Sequence, residues 1–140
     1  MRLTSHTDYA LRVLLYTGAS GETVTIARIS EAFDISREHL RKVVHTLSQL
    51  GYLATSQGRY GGIRLALDPS EINLRDVVLH FENTKIVECF DAQNNTCAID
   101  GMCGLKHVLF LAQKNFMDTL AGYHLSDLIK NPKLIAFSRQ

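Results

Sequence analysis

A mainly α winged helix-turn-helix, with a two-stranded wing and a long C-terminal dimerisation helix, is the fold class this sequence predicts. Three observations predict it. Three amphipathic segments with capping residues lie before Gly51. Two short stretches of strand composition then flank a glycine-rich tip, QGRYGG at 57–62. Positive charge gathers in the same region: residues 36–64 carry Arg37, Arg41, Lys42, Arg59 and Arg64 against Glu38 alone.

Each element has a local reason. The first helix is expected from about Ser5 to Ala19, with Thr4, Ser5 and Thr7 as candidate caps and Leu11, Leu14 and Leu15 as its apolar spine. GASGE at 18–22 ends it. The second begins near Thr25, which can cap it, and carries Ile26, Ile29 and Phe33 at helical spacing. Asp34-Ile35 makes a turn. The third starts at Ser36 and stops before Gly51, burying Leu40, Val43, Val44, Leu47 and Leu50. Tyr52–Ser56 and Ile63–Leu67 read as the wing strands. Asn73 or Ser70 caps a fourth helix running to about Glu82. Residues 83–103 form a loop, a long helix follows from about Leu105 to Gly122, and a short one from Ser126 to Lys130 precedes the tail. The expected division is a winged helix-turn-helix unit over 1–68 and a loop with C-terminal helices over 69–140.

The chain has 140 residues, 46% hydrophobic and 21% charged, which fits one small globular unit and excludes wholesale disorder. No stretch approaches the ~20 consecutive apolar residues that span a bilayer. The opening MRLTSHTDYALRVLLY carries Asp8 and Arg12 inside its apolar run, unlike a secretion signal, so a cytoplasmic location without a membrane partner is expected. An enzyme is not expected: there is no nucleotide-binding glycine fingerprint, no C-x-x-C and no nucleophile–base pairing.

Residues 1–64 hold eight Lys/Arg and five Asp/Glu, whereas 65–140 hold seven and nine. A helix that enters the major groove needs an apolar face toward its own domain and long donors on the other. The third helix has both. The candidate DNA contacts are Thr25, Ser36, Arg37, His39, Arg41, Lys42, His45, Gln57, Arg59, Tyr60 and Arg64. The competing reading makes Arg37, Arg41 and Lys42 a solvated face, and the basic wing tip weakens it. His39 and His45 read first as ordinary surface residues, with a base or phosphate contact second. Gly61-Gly62 suits a plain tight turn as well as a phosphate contact. One copy carries few contacts, so a homodimer on a double-stranded palindrome is expected. Leu105, Val108, Leu109, Ala112, Phe116 and Leu120 give the long helix a broad apolar face for it, packing within one subunit being the alternative.

All three cysteines, Cys89, Cys97 and Cys103, fall in the loop as C-x7-C-x5-C. This matches neither zinc-ribbon pairs nor a ferredoxin run. Two readings stay open: thiolates converging on a soft metal or cluster, and free thiols or a redox pair. Three thiolates leave an iron–sulfur cluster one ligand short, and Asp91, Asp100, His107, Asp8 or a water are candidates for the fourth. Arg12, four residues after Asp8, either forms an ordinary intrahelical ion pair or offsets cluster charge while Asp8 ligates.

LTSHTDYALRVL (3–14), SREHLRKVVHTLSQLGY (36–52), GRYGGIRL (58–65) and ECFDAQNNTCAIDGMCGLKHVL (88–109) together resemble the nitric-oxide-sensing NsrR repressors, a family within the winged-helix group that also holds the IscR regulators. The resemblance runs nearly the whole chain. It implies a homodimer whose cluster-bound form holds operator DNA and releases it when nitric oxide nitrosylates the iron. By position it implies Cys89, Cys97 and Cys103 as cluster ligands, Asp8 as the carboxylate that in a [4Fe–4S] member comes from the partner subunit, and Arg12 beside it. IscR regulators hold a [2Fe–2S] cluster with a histidine three residues after the last cysteine. Here that position is Lys106 and His107 follows, which favours Asp8 and [4Fe–4S], with [2Fe–2S] as the alternative. A regulator of iron–sulfur or cysteine metabolism that senses cluster status is the alternative function.

Overall fold

The computed structural model describes residues 2–140. Helix α1 spans Ser5–Ser20, and of its three candidate caps Thr4 does the work, its side chain accepting from the Thr7 N–H at 3.3 Å. Gly21 ends it with φ 69°, left-handed backbone that suits glycine. Helix α2 spans Ile26–Phe33, capped by Thr25 as expected, and α3 spans Arg37–Gln49, with Ser36, expected as its first residue, serving as its cap. Between them Asp34 takes φ 52°, a conformation a short polar residue tolerates.

The wing is β1, Leu53–Ser56, against β2, Gly62–Leu65, antiparallel with Leu53 opposite Leu65. Both strands are shorter than the segments expected from sequence, although the Ala66 N–H still donates to the Tyr52 carbonyl at 2.9 Å just beyond them. A third piece is new. Val24 exchanges both backbone hydrogen bonds with Ile63, at 2.9 and 2.8 Å, so the segment before α2 is sewn onto the wing. This explains Gly62: a Cβ there would sit 2.5 Å from the Val24 carbonyl oxygen. At Gly61 a Cβ would collide with the Ser56 carbonyl oxygen, so the pair is demanded by the hairpin itself.

Asp68 caps a 3₁₀ turn at Pro69–Glu71, in which Ser70 lies, and Asn73 therefore caps α4, Leu74–Phe81. A second 3₁₀ turn, Glu88–Phe90, interrupts the loop before α5, Gly104–Ala121. The short helix α6 is Leu125–Leu128, one residue earlier at its start than expected and two shorter at its end. The expected tail is helical: α7 spans Pro132–Ser138, with Asn131 as cap and proline in its first turn.

One core joins the two ends of the chain. Ala10, Val13, Leu14 and Tyr16 of α1 meet Ile29, Leu40, Val43, Leu47, Ile72, Val77 and Leu125. Leu11 and Leu15, expected on the spine of α1, are only half-buried, and Leu50 is exposed at the end of α3. Helix α7 docks on α1 through Phe137, whose ring lies 6.0 Å from Tyr16 and 5.4 Å from Phe33. The Arg28 guanidinium of α2 donates to the Ser138 carbonyl at 3.0 Å and so ties the end of α7 to the helix-turn-helix. Truncating this half-buried aromatic in Phe137→Ala should lower unfolding free energy by about 2 kcal/mol, less than a fully buried ring would cost. Urea unfolding checks this, and an unchanged midpoint would mean that α7 is not docked in solution.

Candidate nucleic-acid interface and cysteine loop

Helix α3 turns Leu40, Val43, Val44 and Leu47 inward and leaves Arg37, His39, Arg41, Lys42 and His45 exposed. Lys42 reaches Glu38 one turn back at 3.3 Å, a surface pair worth a few tenths of a kcal/mol that does not compete with a phosphate. His39 stacks on Tyr9 of α1, centroids 6.3 Å apart, a neighbour that sequence spacing does not reveal. Thr25 and Ser36 are exposed, and their oxygens already serve as helix caps. Gln57, Arg59 and Tyr60 stand exposed at the wing tip, where the Arg59 guanidinium lies 5.8 Å from the Tyr60 ring centroid. Arg64 is also exposed, though it borders a cleft with Thr17 and Glu22 behind the wing. The head thus presents one helix face and one hairpin tip, both basic, on a rigid core.

The cysteine loop is organised by polar contacts. Glu88 accepts from the Thr96 N–H at 2.5 Å and the Thr96 hydroxyl at 2.6 Å. Those bonds hold its carboxyl below the ordinary carboxylate range. Asn95 accepts from the Cys97 N–H at 3.1 Å and donates to Asp100 at 2.5 Å. Asp100 also pairs with Lys106 at 2.6 Å, and that hydrogen bond is the main reason its pKa is lowered. Asp91 accepts from Asn94 and pairs with Lys85 at 2.9 Å, which lowers its pKa to about 2. Asp91 and Asp100 therefore already have partners.

All three cysteines are free thiols, Cys97 exposed and the others half-buried. Cys89 and Cys103 line one cavity of about 910 Å³ together with Asp100, Lys106, His107 and Phe110. That volume is near the upper end of ligand pockets, roughly 300–1,000 Å³. The Lys106 ammonium is close enough to Cys89 and Cys97 for their charge to add to the rise in its pKa, which Asp100 dominates. Asp8 is elsewhere: it pairs with Arg12 at 2.7 Å, and Arg12 also lies over the Phe33 ring at 5.7 Å. Among the described residues, no three His, Cys, Asp or Glu side chains are gathered closely enough to hold a metal ion. The donor set nevertheless fits a soft metal. Two free thiols, Cys89 and Cys103, and His107 border one cavity beside Lys106, and the third thiol, Cys97, lies exposed on the same loop.

The long helix α5 has no buried residue. Leu105 and Val108 are 61% and 59% exposed, while Leu109, Phe116 and Leu120 are half-buried. The expected apolar face is thus split: α5 packs partly on α4, and the rest is open. Among the described residues no helix is long and apolar enough to cross a membrane.

Residues 3–131 match the family Rrf2, described as "Iron-dependent Transcriptional regulator". The chain belongs to the Rrf2 family. Over 134 residues it is 50% identical to the HTH-type transcriptional regulator NsrR of Bacillus subtilis, covering 94% of this chain and 92% of that one. It is 47% identical to the NsrR regulator of Oceanobacillus iheyensis over 134 residues, 94% of this chain and 91% of that one. The fold is that of CymR, the global cysteine regulator of B. subtilis, with TM-score 0.75, 18% identity, and 92% and 96% of the two chains covered. T. potens IscR gives TM-score 0.73 at 20% identity, with 93% and 87% covered. These relatives support a DNA-binding transcriptional regulator, not an enzyme.

Glu82, at the end of α4, holds the start of α1 by accepting from the Thr4 N–H at 2.6 Å and the Thr7 hydroxyl at 2.5 Å. Desolvation pushes its pKa up, but those bonds outweigh it and hold the carboxyl below its ordinary 4.5. A lowered folded-state pKa gives stability that is present above the unfolded value and lost as pH falls through the folded one. Glu82→Gln should therefore destabilise by about 1 kcal/mol near neutral pH, after discounting for solvent, and by less in acid. Thermal unfolding at pH 7 and pH 3 checks it, and an equal loss at both would assign the effect to packing.

Proposed function

We propose that this chain is a cytoplasmic, homodimeric repressor that binds an iron–sulfur cluster, senses nitric oxide and releases operator DNA in response. The observation that carries the reading is the position of the thiols. All three lie in one excursion between the core and α5, the helix whose apolar side is uncovered. The 50% identity to an NsrR regulator supports the signal. In this reading residues 1–68 read DNA, and residues 69–140 hold the cluster loop and the dimer contact.

Cys89, Cys97 and Cys103 would hold the cluster, with Asp8 of the partner subunit as fourth ligand. Bound iron and sulfide would supply a centre that reacts with nitric oxide, which the thiols alone do not offer. The other tasks fall to the chain. Lys106 and Arg12 offset negative charge. The Asp8–Arg12 pair has both side chains more than 40% exposed, so exchanging it for a ligand bond costs under about 1 kcal/mol. Asp8 lies on α1, which packs directly on α3, so holding Asp8 fixes the reading helix. Half-sites lie about 34 Å apart, and a shift of a few Å misplaces one of two helices. A coupling of ~1–3 kcal/mol changes affinity roughly 5–150-fold.

His107 favours a second reading, a [2Fe–2S] regulator of cluster status. It borders the cavity that Cys89 and Cys103 line, as Asp8 does not.

Protein purified without oxygen should be coloured and contain iron and acid-labile sulfide. Alanine at any of the three cysteines should abolish the colour and leave the circular dichroism intact, since none belongs to the core. A colourless, iron-free wild type would overturn the cluster. Asp8→Ala should retain iron but blunt the nitric-oxide response in operator gel shifts, whereas His107→Ala should not; the reverse pattern selects the second reading. Separately, Arg41→Ala should weaken operator binding, and a lost phosphate contact would lower the salt slope by about one. Unchanged affinity across salt would remove Arg41 from the interface.

A further inference from the structure

The cysteine loop is also built as a thiol pair. Glu88 and Thr96 directly precede Cys89 and Cys97 in the chain, and the two bonds from Thr96 to the Glu88 carboxylate tie those points together. Asn95 fixes the backbone entering Cys97 through its bond from the Cys97 N–H. Lys106, anchored on Asp100 at 2.6 Å, brings an ammonium to this end of the loop. A cation there stabilises negative charge on attacking sulfur. Cys97 is exposed and is the more accessible to a solute, whereas Cys89 is half-buried. Cys103 differs in kind, since it is the N-cap residue of α5 and its backbone is set by that helix.

We propose that, in the chain without iron, Cys97 and Cys89 are a site of oxidation by hydroperoxides and close to a disulfide, leaving Cys103 a free thiol. The Cys97 sulfur attacks one peroxide oxygen. The O–O bond breaks, Cys97 becomes a sulfenic acid, and the other oxygen leaves as water or an alcohol carrying the thiol proton. The Cys89 sulfur then attacks the Cys97 sulfur. The S–O bond breaks, the S–S bond forms, and hydroxide departs as water with the Cys89 proton. The dithiol loses two electrons and the peroxide gains them. Closure needs the Cα atoms within about 4.4–6.8 Å, a distance the clasp helps the loop to reach. A chain oxidised in this way has lost two of the three thiolates that would hold a cluster, so iron loading requires reduction first. The pair stands on loop geometry and does not depend on the cluster reading, although it uses the same sulfurs.

The test uses full-length protein stripped with a chelator under anaerobic conditions and treated with hydrogen peroxide. Free thiols are alkylated, and linked peptides are identified by mass spectrometry before and after reduction. A dominant Cys89–Cys97 link with alkylated Cys103 is expected. Glu88→Ala, which removes the clasp far from the core, should slow closure about fivefold while circular dichroism stays unchanged. A dominant link that includes Cys103, cross-linked dimers, or further oxidation of Cys97 with no link would each overturn the proposal. So would Glu88→Ala closing at the wild-type rate. Iron and sulfide counts on untreated protein report on the cluster reading separately.

Discussion

Close packing around α1 is the constraint from which the rest of the structure follows. Ala10, Val13, Leu14 and Tyr16 are almost solvent-free, and α3, α4, α6, α7 and β2 all pack on this helix. A core packed to crystal-like density transmits displacement and does not absorb it. Helix α3 is therefore positioned by α1, and distant parts of the chain are tied to it too: Glu82 grips its first turn, and Phe137 lies against Tyr16. A group bound near Asp8 would act on the part of the molecule with the least freedom to yield locally. The Arg12 guanidinium strengthens this, since it bridges Asp8 to Phe33 at the end of α2, just before the turn into α3.

The cysteine loop is the physical opposite. None of its residues belongs to the core, and what orders it is a set of exposed polar bonds that water screens and competes with. Segments of this kind open at low free-energy cost. The same bonds dispose of the competing hard donors. Asp91 is committed to Lys85 and Asn94, and Asp100 to Lys106 and Asn95. Glu88 is held by Thr96. The donors left free around the cavity are thiols and His107, the soft and borderline ligands. The loop's polar scaffold thus sets what chemistry it can do before any ligand arrives.

The sequence made legible what is local. Thr25 and Asn73 were readable as caps because an N-cap bond spans only two or three residues, and the basic helix and wing followed from spacing. The unread features depend on distant partners. Val24 is a single residue in a turn-rich stretch, and only the fold shows that it pairs with Ile63. Helix α7 was expected as tail because its seven residues are too few to signal a helix alone. It exists because Phe137 finds Tyr16 and Phe33 more than a hundred residues earlier. For the site, the grouping of the cysteines was visible, but the clasp from Glu88 to Thr96 and the Lys106 charge were not. Charged residues in a polar loop give no periodic signal.

Helix α5 joins the two regimes. Its first residues continue directly from Cys103, and its exposed side carries Leu105, Val108, Phe110 and Leu111. Exposed apolar side chains grouped on one helix are costly in water and suit a surface that a partner covers. Whatever covers it is held within one helical turn of Cys103 and Lys106. Covering α5 and ordering the cysteine loop are therefore coupled through a continuous backbone. If a second copy supplies the cover, the cavity beside Cys89 and Cys103 lies near the boundary between subunits, where Asp8 of the partner subunit could complete a donor set that one copy does not assemble. On the proposed reading the incomplete site and the uncovered helix would have one explanation: each chain would supply three sulfurs and leave the fourth position to its partner.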